Sequence, residues 1–295
     1  MKKPIFYGSG VAVCTPFNDD NSVDFVSYQK LIEFQIANGT KALIVLGTTG
    51  ENPTATDAEF EKIVSFAVKT VSKRIPVIVG TGRNDTAHSV ALSIKAHRLG
   101  ADALLVVSPY YNKTTQDGLV AHITAVASAT DLPIILYNVP SRTGMSFTHQ
   151  TYAKLAKLPT VNGVKEAGSD FTLLLRTLHA CPKDFYIYCG NDDQITAMMA
   201  LGAVGVVSVL ANVAPKQTQD ICAYALNKDF EKSAALQTEL CDLIDALFTE
   251  CNPIPAKAAL TAMGLCKNNL RLPLVPISAD NKKILISSLK RHGII

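Results

Sequence analysis

Eight short apolar runs that alternate with amphipathic helical segments predict a closed (β/α)8 barrel followed by a helical C-terminal region. The runs are rich in β-branched residues and bounded by Gly, Pro or Asn, which is typical of strands buried on both faces of a parallel sheet. They begin about every 19 to 35 residues, the spacing of a βα unit. They are VAVCTPF from Val11, ALIVLG from Ala42, VIVGTG from Val77, ALLVVSP from Ala103, IILYNVP from Ile134, GVKEAG from Gly163, YIYCGN from Tyr186 and GVVSVLAN from Gly205.

The intervening segments show helical periodicity. One apolar stripe contains Phe25, Tyr28, Leu31, Ile32 and Ile36, and the next contains Phe60, Ile63, Val64, Ala67 and Val71. A doubly wound open sheet is the alternative, but TPFNDDN after the first strand is not a Gly-rich nucleotide turn. Because the chain is helical after Pro215, we predict a barrel domain over residues 1–226 and a helical domain over 227–295.

Composition narrows the class of protein. The 295-residue chain is 48% hydrophobic and 18% charged, which indicates a globular protein. Its 28 basic and 25 acidic residues form no concentrated block, so neither nucleic acid nor a membrane is expected as a partner. Seven cysteines without a CxxC pair, and a start without a secretory apolar core, predict a cytoplasmic protein with small-molecule partners.

The candidate site lies at the carboxyl ends of the strands, where barrels of this kind carry their chemistry. None of the six histidines is at a predicted strand end, so we expect no metal ion and no other cofactor. The loops GNDDQ and LANVAPK after the last two strands are not Gly-rich, which disfavours a phosphorylated substrate. The polar residues at these ends are Thr48, Thr49, Glu51, Tyr110, Tyr111, Tyr137, Asn138, Arg142, Lys165, Glu166, Asn191 and Asp192.

Lys165 is a charged residue inside the strand segment VNGVKEAG. Because side chains alternate along a strand, Lys165 faces the barrel axis if Val164 packs against the surrounding helices. An amine shielded from water is neutral more often than a solvated one, and a neutral amine can attack a ketone to form a Schiff base. The competing interpretation is a strand-end lysine whose ammonium reaches solvent.

Three further features complete a possible site. Tyr137 shares strand parity with Ile135 and can point inward as a proton carrier. Arg142 in PSRTG offers a guanidinium fork for a carboxylate, and GTTGE offers hydroxyls and backbone N–H groups for an anion. Taken singly, Tyr137 is more often a core tyrosine, Arg142 a solvated arginine and GTTGE a common turn. Together with Lys165, they indicate a nucleophilic amine with two carboxylate receptors.

The motifs GSGVAVCTPF, GTTGE, SPYYNK, YNVPSRTG, GVKEA, CGND and GVVSVLANV occur in order across nearly the whole chain. In this they resemble the 4-hydroxy-tetrahydrodipicolinate synthase (dihydrodipicolinate synthase) family. The resemblance implies a (β/α)8 TIM barrel with a helical C-terminal domain. It also implies a lyase that condenses pyruvate with L-aspartate 4-semialdehyde in the diaminopimelate branch of lysine biosynthesis.

The resemblance implies roles for the matching residues. Lys165 forms the imine with pyruvate, and Thr49 and Tyr137 relay protons. Tyr111 completes that relay from an adjacent subunit, which implies a homo-oligomer, commonly a dimer of dimers. The substrate-binding residues implied are Thr48 and Thr49 for the pyruvate carboxylate, Arg142 for the semialdehyde carboxylate, and Gly190 and Val207 for the pocket wall. Val207 stands where some relatives have Ile.

Two other functions stay open. N-acetylneuraminate lyase and related sugar-acid aldolases share the lysine and the tyrosine, although Arg142 and the second Thr of GTTGE favour an aldehyde with its own carboxylate. A non-catalytic barrel that senses small acids would use Arg142 but leaves Lys165 without a purpose. The exposure of Cys189 to oxidation is also open.

The resemblance further bears on regulation. Relatives inhibited by lysine carry histidines and an acidic residue in a cleft at the dimer interface. At those positions this sequence has Asp57, Phe60 and His88, so the ammonium of lysine lacks its usual carboxylate partner at position 88. Weak or absent feedback by lysine is therefore expected.

Overall fold

The computed structural model describes residues 1–295 and contains a closed barrel of eight parallel strands in chain order. Pairing of the last strand with the first closes the sheet, which confirms the predicted barrel over the open-sheet alternative. The strands are β1 Gly8–Ala12, β2 Ala42–Val45, β3 Val77–Gly80, β4 Ala103–Val107, β5 Ile134–Asn138, β6 Val161–Glu166, β7 Tyr186–Cys189 and β8 Gly205–Ser208.

Helices surround the barrel and continue beyond it. The first nine are α1 Phe25–Ala37, α2 Asp57–Val71, α3 Thr86–Arg98, α4 Gln116–Ala127, α5 Pro140–Thr143, α6 His149–Leu155, α7 Phe171–Ala180, α8 Ile195–Ala200 and α9 Pro215–Leu226. Four more follow: α10 Phe230–Glu239, α11 Cys241–Leu247, α12 Ile254–Ala262 and α13 Ala279–Arg291. The domain division into 1–226 and 227–295 stays a prediction. No helix combines the length and apolar character needed to cross a membrane.

The C-terminal helices lie against the end of the barrel that carries the candidate residues. Short 3₁₀ turns follow three strands, at Thr48–Gly50 and Asn52–Thr54 after β2, Asp192–Gln194 after β7 and Leu210–Asn212 after β8. Helix α11 contacts the turns after β7 and β8, and α12 contacts the turn after β8. The C-terminal region can therefore contribute side chains to the carboxyl ends of the strands.

The sheet separates two hydrophobic cores. The larger core has 63 buried residues, among them Leu136 and Val164, and lies between the strands and the helices. The smaller core has 12 residues, among them Ile135, Tyr137 and Val207, and fills the barrel. Neighbouring residues of one strand thus belong to different cores, as the two-residue period of a strand requires.

Strand β1 begins three residues earlier than the apolar run predicts. Gly8 pairs with Gly205, and a Cβ on Gly205 would lie 2.1 Å from the carbonyl oxygen of Gly8. The two backbones approach so closely that this part of the sheet requires residues without side chains. A search for apolar runs cannot detect such a segment.

The predicted helical stripes face the outer core. All five stripe residues of α2 are buried, whereas in α1 Phe25 and Ile36 are only half-buried. Helix α2 begins at a capping box in which Thr56 Oγ1 accepts from the Glu59 N–H and the Glu59 carboxylate accepts from the Thr56 N–H.

Candidate active site

Lys165 lies on β6 with its side chain inside the barrel. Only 6% of the residue is exposed, while the preceding Val164 packs in the outer core. Its partners in register are Tyr137 on β5 and Tyr188 on β7. Nζ of Lys165 lies 4.3 Å from the centroid of the Tyr137 ring. The structure therefore brings the amine and the phenol together, and the burial of Lys165 argues against a lysine that reaches solvent.

Lys165 lines a cavity of about 230 Å³. Six of the eight predicted site residues line this cavity, namely Thr48, Thr49, Tyr137, Arg142, Lys165 and Gly190. They come from four different strand ends, which the closed barrel places around one axis. The volume suits a small molecule of a few heavy atoms.

The two remaining predicted residues lie outside the cavity. Val207 on β8 is completely buried in the inner core and does not line the cavity. Tyr111 is 91% exposed and has a φ of 71°, in the left-handed region that a bulky residue seldom adopts. Within one chain, Tyr111 thus does not contribute to the site.

The GTTGE segment forms the 3₁₀ turn Thr48–Gly50 directly after β2. Thr49 is 2% exposed, and its Oγ1 accepts a hydrogen bond of 2.9 Å from Nδ2 of Asn252. Glu51 follows with a φ of 54°, so the chain reverses sharply at the end of the turn. This turn holds Thr48 and Thr49 at the wall of the cavity.

Arg142 lies in the short helix α5 at the mouth of the cavity. Its guanidinium donates from Nη2 to the carbonyl oxygen of Asn252 at 3.2 Å and from Nη1 to Sγ of Cys251 at 3.6 Å. The residue is exposed and forms no salt bridge, so the guanidinium can still bind a carboxylate. It is positioned by the C-terminal segment rather than by its own loop.

The other strand-end carboxylates are engaged within the protein. Glu166 accepts from Asn138 Nδ2 at 2.8 Å, from the Gly168 N–H at 2.9 Å and from the Tyr152 hydroxyl at 3.1 Å. Burial raises the pKa of Glu166, although these donors oppose the shift. The buried Asp192 similarly accepts from two backbone N–H groups of the loop after β8, and burial raises the pKa of Asp192. These residues hold the loops in place.

Sequence reasoning missed the contribution of the C-terminal segment. Asn252 and Phe248 line the cavity beside Lys165, together with Ala167 and Asn191. Neither Asn252 nor Phe248 lies at a strand end, and the only local signal is the Asn-Pro pair in CNPIP, which indicates a turn. The positions of these two residues follow from the docking of α11 and α12.

Cys189 is completely buried at the end of β7. Burial raises the pKa of its thiol, whose Sγ donates to the Asn191 carbonyl oxygen at 3.0 Å. A thiol that stays protonated and enclosed reacts slowly with oxidants. The question that the sequence left open is thus answered by the packing of β7.

Asp57, Phe60 and His88, the three residues linked to lysine feedback, also make contacts within the protein. Asp57 Oδ1 and His88 Nε2 lie 3.0 Å apart, so these two side chains pair with each other across α2 and α3. Phe60 is 1% exposed and belongs to the outer core. Phe60 is therefore not available to a ligand at the surface.

Comparison with known proteins extends these observations to the whole chain. Residues 5–292 match the model of the dihydrodipicolinate synthetase family. The 4-hydroxy-tetrahydrodipicolinate synthase of Caldicellulosiruptor saccharolyticus is 48% identical over 291 residues, which cover 99% of this chain and 98% of the relative. That of Alkaliphilus oremlandii is 49% identical over 291 residues, 99% of this chain and 100% of the relative.

Solved structures agree with this result. Dihydrodipicolinate synthase from Thermotoga maritima superposes with a TM-score of 0.97 at 45% identity and covers 99% of this chain and 100% of its own. The Acinetobacter baumannii enzyme, complexed with pyruvate, superposes with a TM-score of 0.96 at 42% identity and covers 98% of this chain and 99% of its own. The Cyanidioschyzon merolae enzyme, with lysine bound, superposes with a TM-score of 0.96 at 35% identity and covers 99% of this chain and 100% of its own. With agreement in sequence and fold over nearly its full length, the chain belongs to the dihydrodipicolinate synthetase family.

Proposed function

We propose that this protein is a lyase that condenses pyruvate with L-aspartate 4-semialdehyde to give 4-hydroxy-tetrahydrodipicolinate, in the diaminopimelate branch of lysine biosynthesis. The observation that carries the proposal is the enclosed amine of Lys165 over the Tyr137 ring, in a cavity that Thr48, Thr49 and Arg142 also line. The names of the relatives agree with it.

The chemistry begins at Nζ of Lys165. The neutral amine attacks C2 of pyruvate, water leaves, and an imine remains; loss of a methyl proton then gives an enamine that attacks the aldehyde carbon. Tyr137, whose ring centroid lies 4.3 Å from Nζ, carries protons in these steps, with Thr49 as its partner in the relay.

The two carboxylates are held separately. Thr48 and Thr49 bind the pyruvate carboxylate through hydroxyl and backbone N–H groups. Arg142 binds the carboxylate of the semialdehyde at the cavity mouth. The wall is closely packed at Gly190 and has no space for a side chain, because a Cβ there would lie 2.6 Å from that of Ala167. Val207 supports the floor from the inner core.

The same proposal includes a homo-oligomer, a dimer of dimers, in which Tyr111 reaches the site of an adjacent subunit. The strained backbone and 91% exposure of Tyr111 support a role outside its own chain, since strain is retained where a functional contact requires it. Seven free cysteines support a reducing, cytoplasmic location.

The alternatives have less support. The compared relatives carry the synthase name, which does not favour N-acetylneuraminate lyase. A sensor of small acids requires no amine buried beside a phenol. Offering the purified protein aspartate semialdehyde or N-acetylneuraminate, each in a coupled assay, separates the two enzymatic activities.

The decisive experiment is borohydride reduction in the presence of pyruvate, followed by peptide mass spectrometry. We expect one three-carbon adduct, on Lys165. Lys257 is the matched internal control, because it is also a buried lysine but forms an ion pair with Glu51. An adduct on Lys257 or on surface lysines at equal yield, or full turnover by Lys165→Ala, would overturn the proposal.

A further inference from the structure

Asn252 contacts both carboxylate receptors of the candidate site. Its Nδ2 donates to Thr49 Oγ1 at 2.9 Å, and its backbone carbonyl oxygen accepts from Arg142 Nη2 at 3.2 Å. The residue is 6% exposed and lines the cavity that contains Lys165. Asn252 is therefore fixed between the pyruvate end and the semialdehyde end of the site.

The other half of the Asn252 amide has no partner in the chain. Its Oδ1 is buried, and no protein donor reaches it. An unsatisfied buried acceptor costs about 1–3 kcal/mol, so a donor brought by a ligand to this cavity-lining residue would be stabilising. With Nδ2 bound to Thr49 Oγ1, Oδ1 is the amide atom that lacks a partner.

Of the two substrates, only one offers a suitable donor. Pyruvate carries a keto oxygen and a carboxylate, which are acceptors. L-aspartate 4-semialdehyde carries an α-ammonium with three N–H donors, on the same carbon as the carboxylate assigned to Arg142. A carboxylate held by Arg142 therefore brings the α-ammonium next to the residue that Arg142 itself contacts, Asn252.

We propose that Oδ1 of Asn252 binds the α-ammonium of the semialdehyde and makes the site selective for α-amino aldehydes. This inference rests on the proposed function. A neutral amide suits the task because the nitrogen must later lose a proton and attack C2, which breaks the C2–Nζ bond and returns the proton to the Lys165 amine. A carboxylate in place of the amide would hold the ammonium charged and oppose that step.

The test compares aspartate semialdehyde with succinate semialdehyde, which lacks the ammonium but keeps the aldehyde and the carboxylate. For Asn252→Ala we expect kcat/KM for aspartate semialdehyde to fall about 10- to 100-fold, as for a lost hydrogen bond to a charged group. Inhibition by succinate semialdehyde should change less than about threefold. Asn268→Ala is the matched control, because Asn268 Oδ1 is also buried without a partner but does not line the cavity.

A second variant separates recognition from positioning. Asn252→Asp keeps an acceptor, so the KM for aspartate semialdehyde should stay near that of the wild type while kcat falls. Equal loss of affinity for both aldehydes in Asn252→Ala, or a raised KM in Asn252→Asp, would overturn the proposal and leave Asn252 as a support for Arg142. Pyruvate trapping on Lys165 is measured in the wild type and in every variant. A wild-type protein that traps no pyruvate would contradict the proposed function and not the role of Asn252.

Discussion

Lys257 and Glu51 form an ion pair from which solvent is excluded, with side-chain exposures of 0% and 1%. Lys257 belongs to α12, and Glu51 directly follows the turn Thr48–Gly50. Lys257 also donates to the Asn269 carbonyl oxygen at 2.8 Å, and the Arg271 N–H donates to Glu51 at 3.0 Å. The pair therefore anchors the C-terminal helices to the loop of the candidate site.

Replacing Lys257 by Met should destabilise the fold strongly. The substitution leaves the Glu51 carboxylate buried without its partner, which costs about 3–5 kcal/mol of unfolding free energy. Urea denaturation measures the loss. The exposed pair of Lys73 and Asp102 supplies the control, since Lys73→Met should cost less than about 1 kcal/mol. Adding Glu51→Gln to Lys257→Met should recover part of the loss, and equal effects of the two lysine variants would contradict the expectation.

Tyr137 and Tyr188 flank Lys165 in register but should respond differently to loss of their hydroxyls. Tyr137 lines the cavity, whereas the Tyr188 hydroxyl accepts from the Ile5 N–H at 3.1 Å, away from the cavity. Tyr137→Phe should lower kcat about 100-fold or more, as expected for loss of a proton carrier. Steady-state kinetics of Tyr188→Phe should show a change below about threefold, with a stability loss of about 1 kcal/mol. A similar kcat in both variants would remove Tyr137 from the relay.

Arg142 should determine the affinity for the second substrate only. Arg142→Lys keeps the charge but loses the planar fork, so the KM for aspartate semialdehyde should rise about tenfold or more. Borohydride trapping of pyruvate on Lys165 should continue in the variant. If trapping is lost with the semialdehyde affinity, Arg142 contributes to the pyruvate site, contrary to the assignment.

The stability contributed by Glu59 should depend on pH. Hydrogen bonds from Arg271, including Nη1 at 2.9 Å, lower the pKa of Glu59 from 4.5 to about 2. A pKa lower in the folded than in the unfolded state stabilises the fold above pH 4.5, and this contribution disappears as the pH falls toward 2. Glu59→Gln should therefore cost about 2 kcal/mol at neutral pH and progressively less in acid. Gln preserves the capping box with Thr56, so the substitution does not remove the helix cap.

Free lysine should inhibit the enzyme weakly or not at all. Position 88 carries a histidine paired with Asp57, and Phe60 is buried, so neither supplies a free carboxylate or imidazole to an ammonium ligand. Condensation assays with sub-millimolar L-lysine should give unchanged rates. A clear loss of activity at that concentration would refute the expectation.

Much of the fold and part of the site can be predicted from periodicity. The two-residue period of β6 placed Lys165 inside the barrel once Val164 was assigned to the outer core, and the same reasoning placed Tyr137 beside it. The start of β1 could not be found in this way, because its glycines pair through backbone alone. Nor could the exposure of Tyr111 within its own chain be deduced from a motif.

By itself, the sequence determined the strands, the helices and the identity of the inward amine, because these depend on local spacing and on residue type. Only the tertiary structure decided which side chains complete the cavity. Asn252 and Lys257 meet Thr49 and Glu51 across 203 and 206 residues of chain, respectively. Contacts at such separation depend on how α11 and α12 dock on the barrel, and no local pattern of two or 3.6 residues records that geometry.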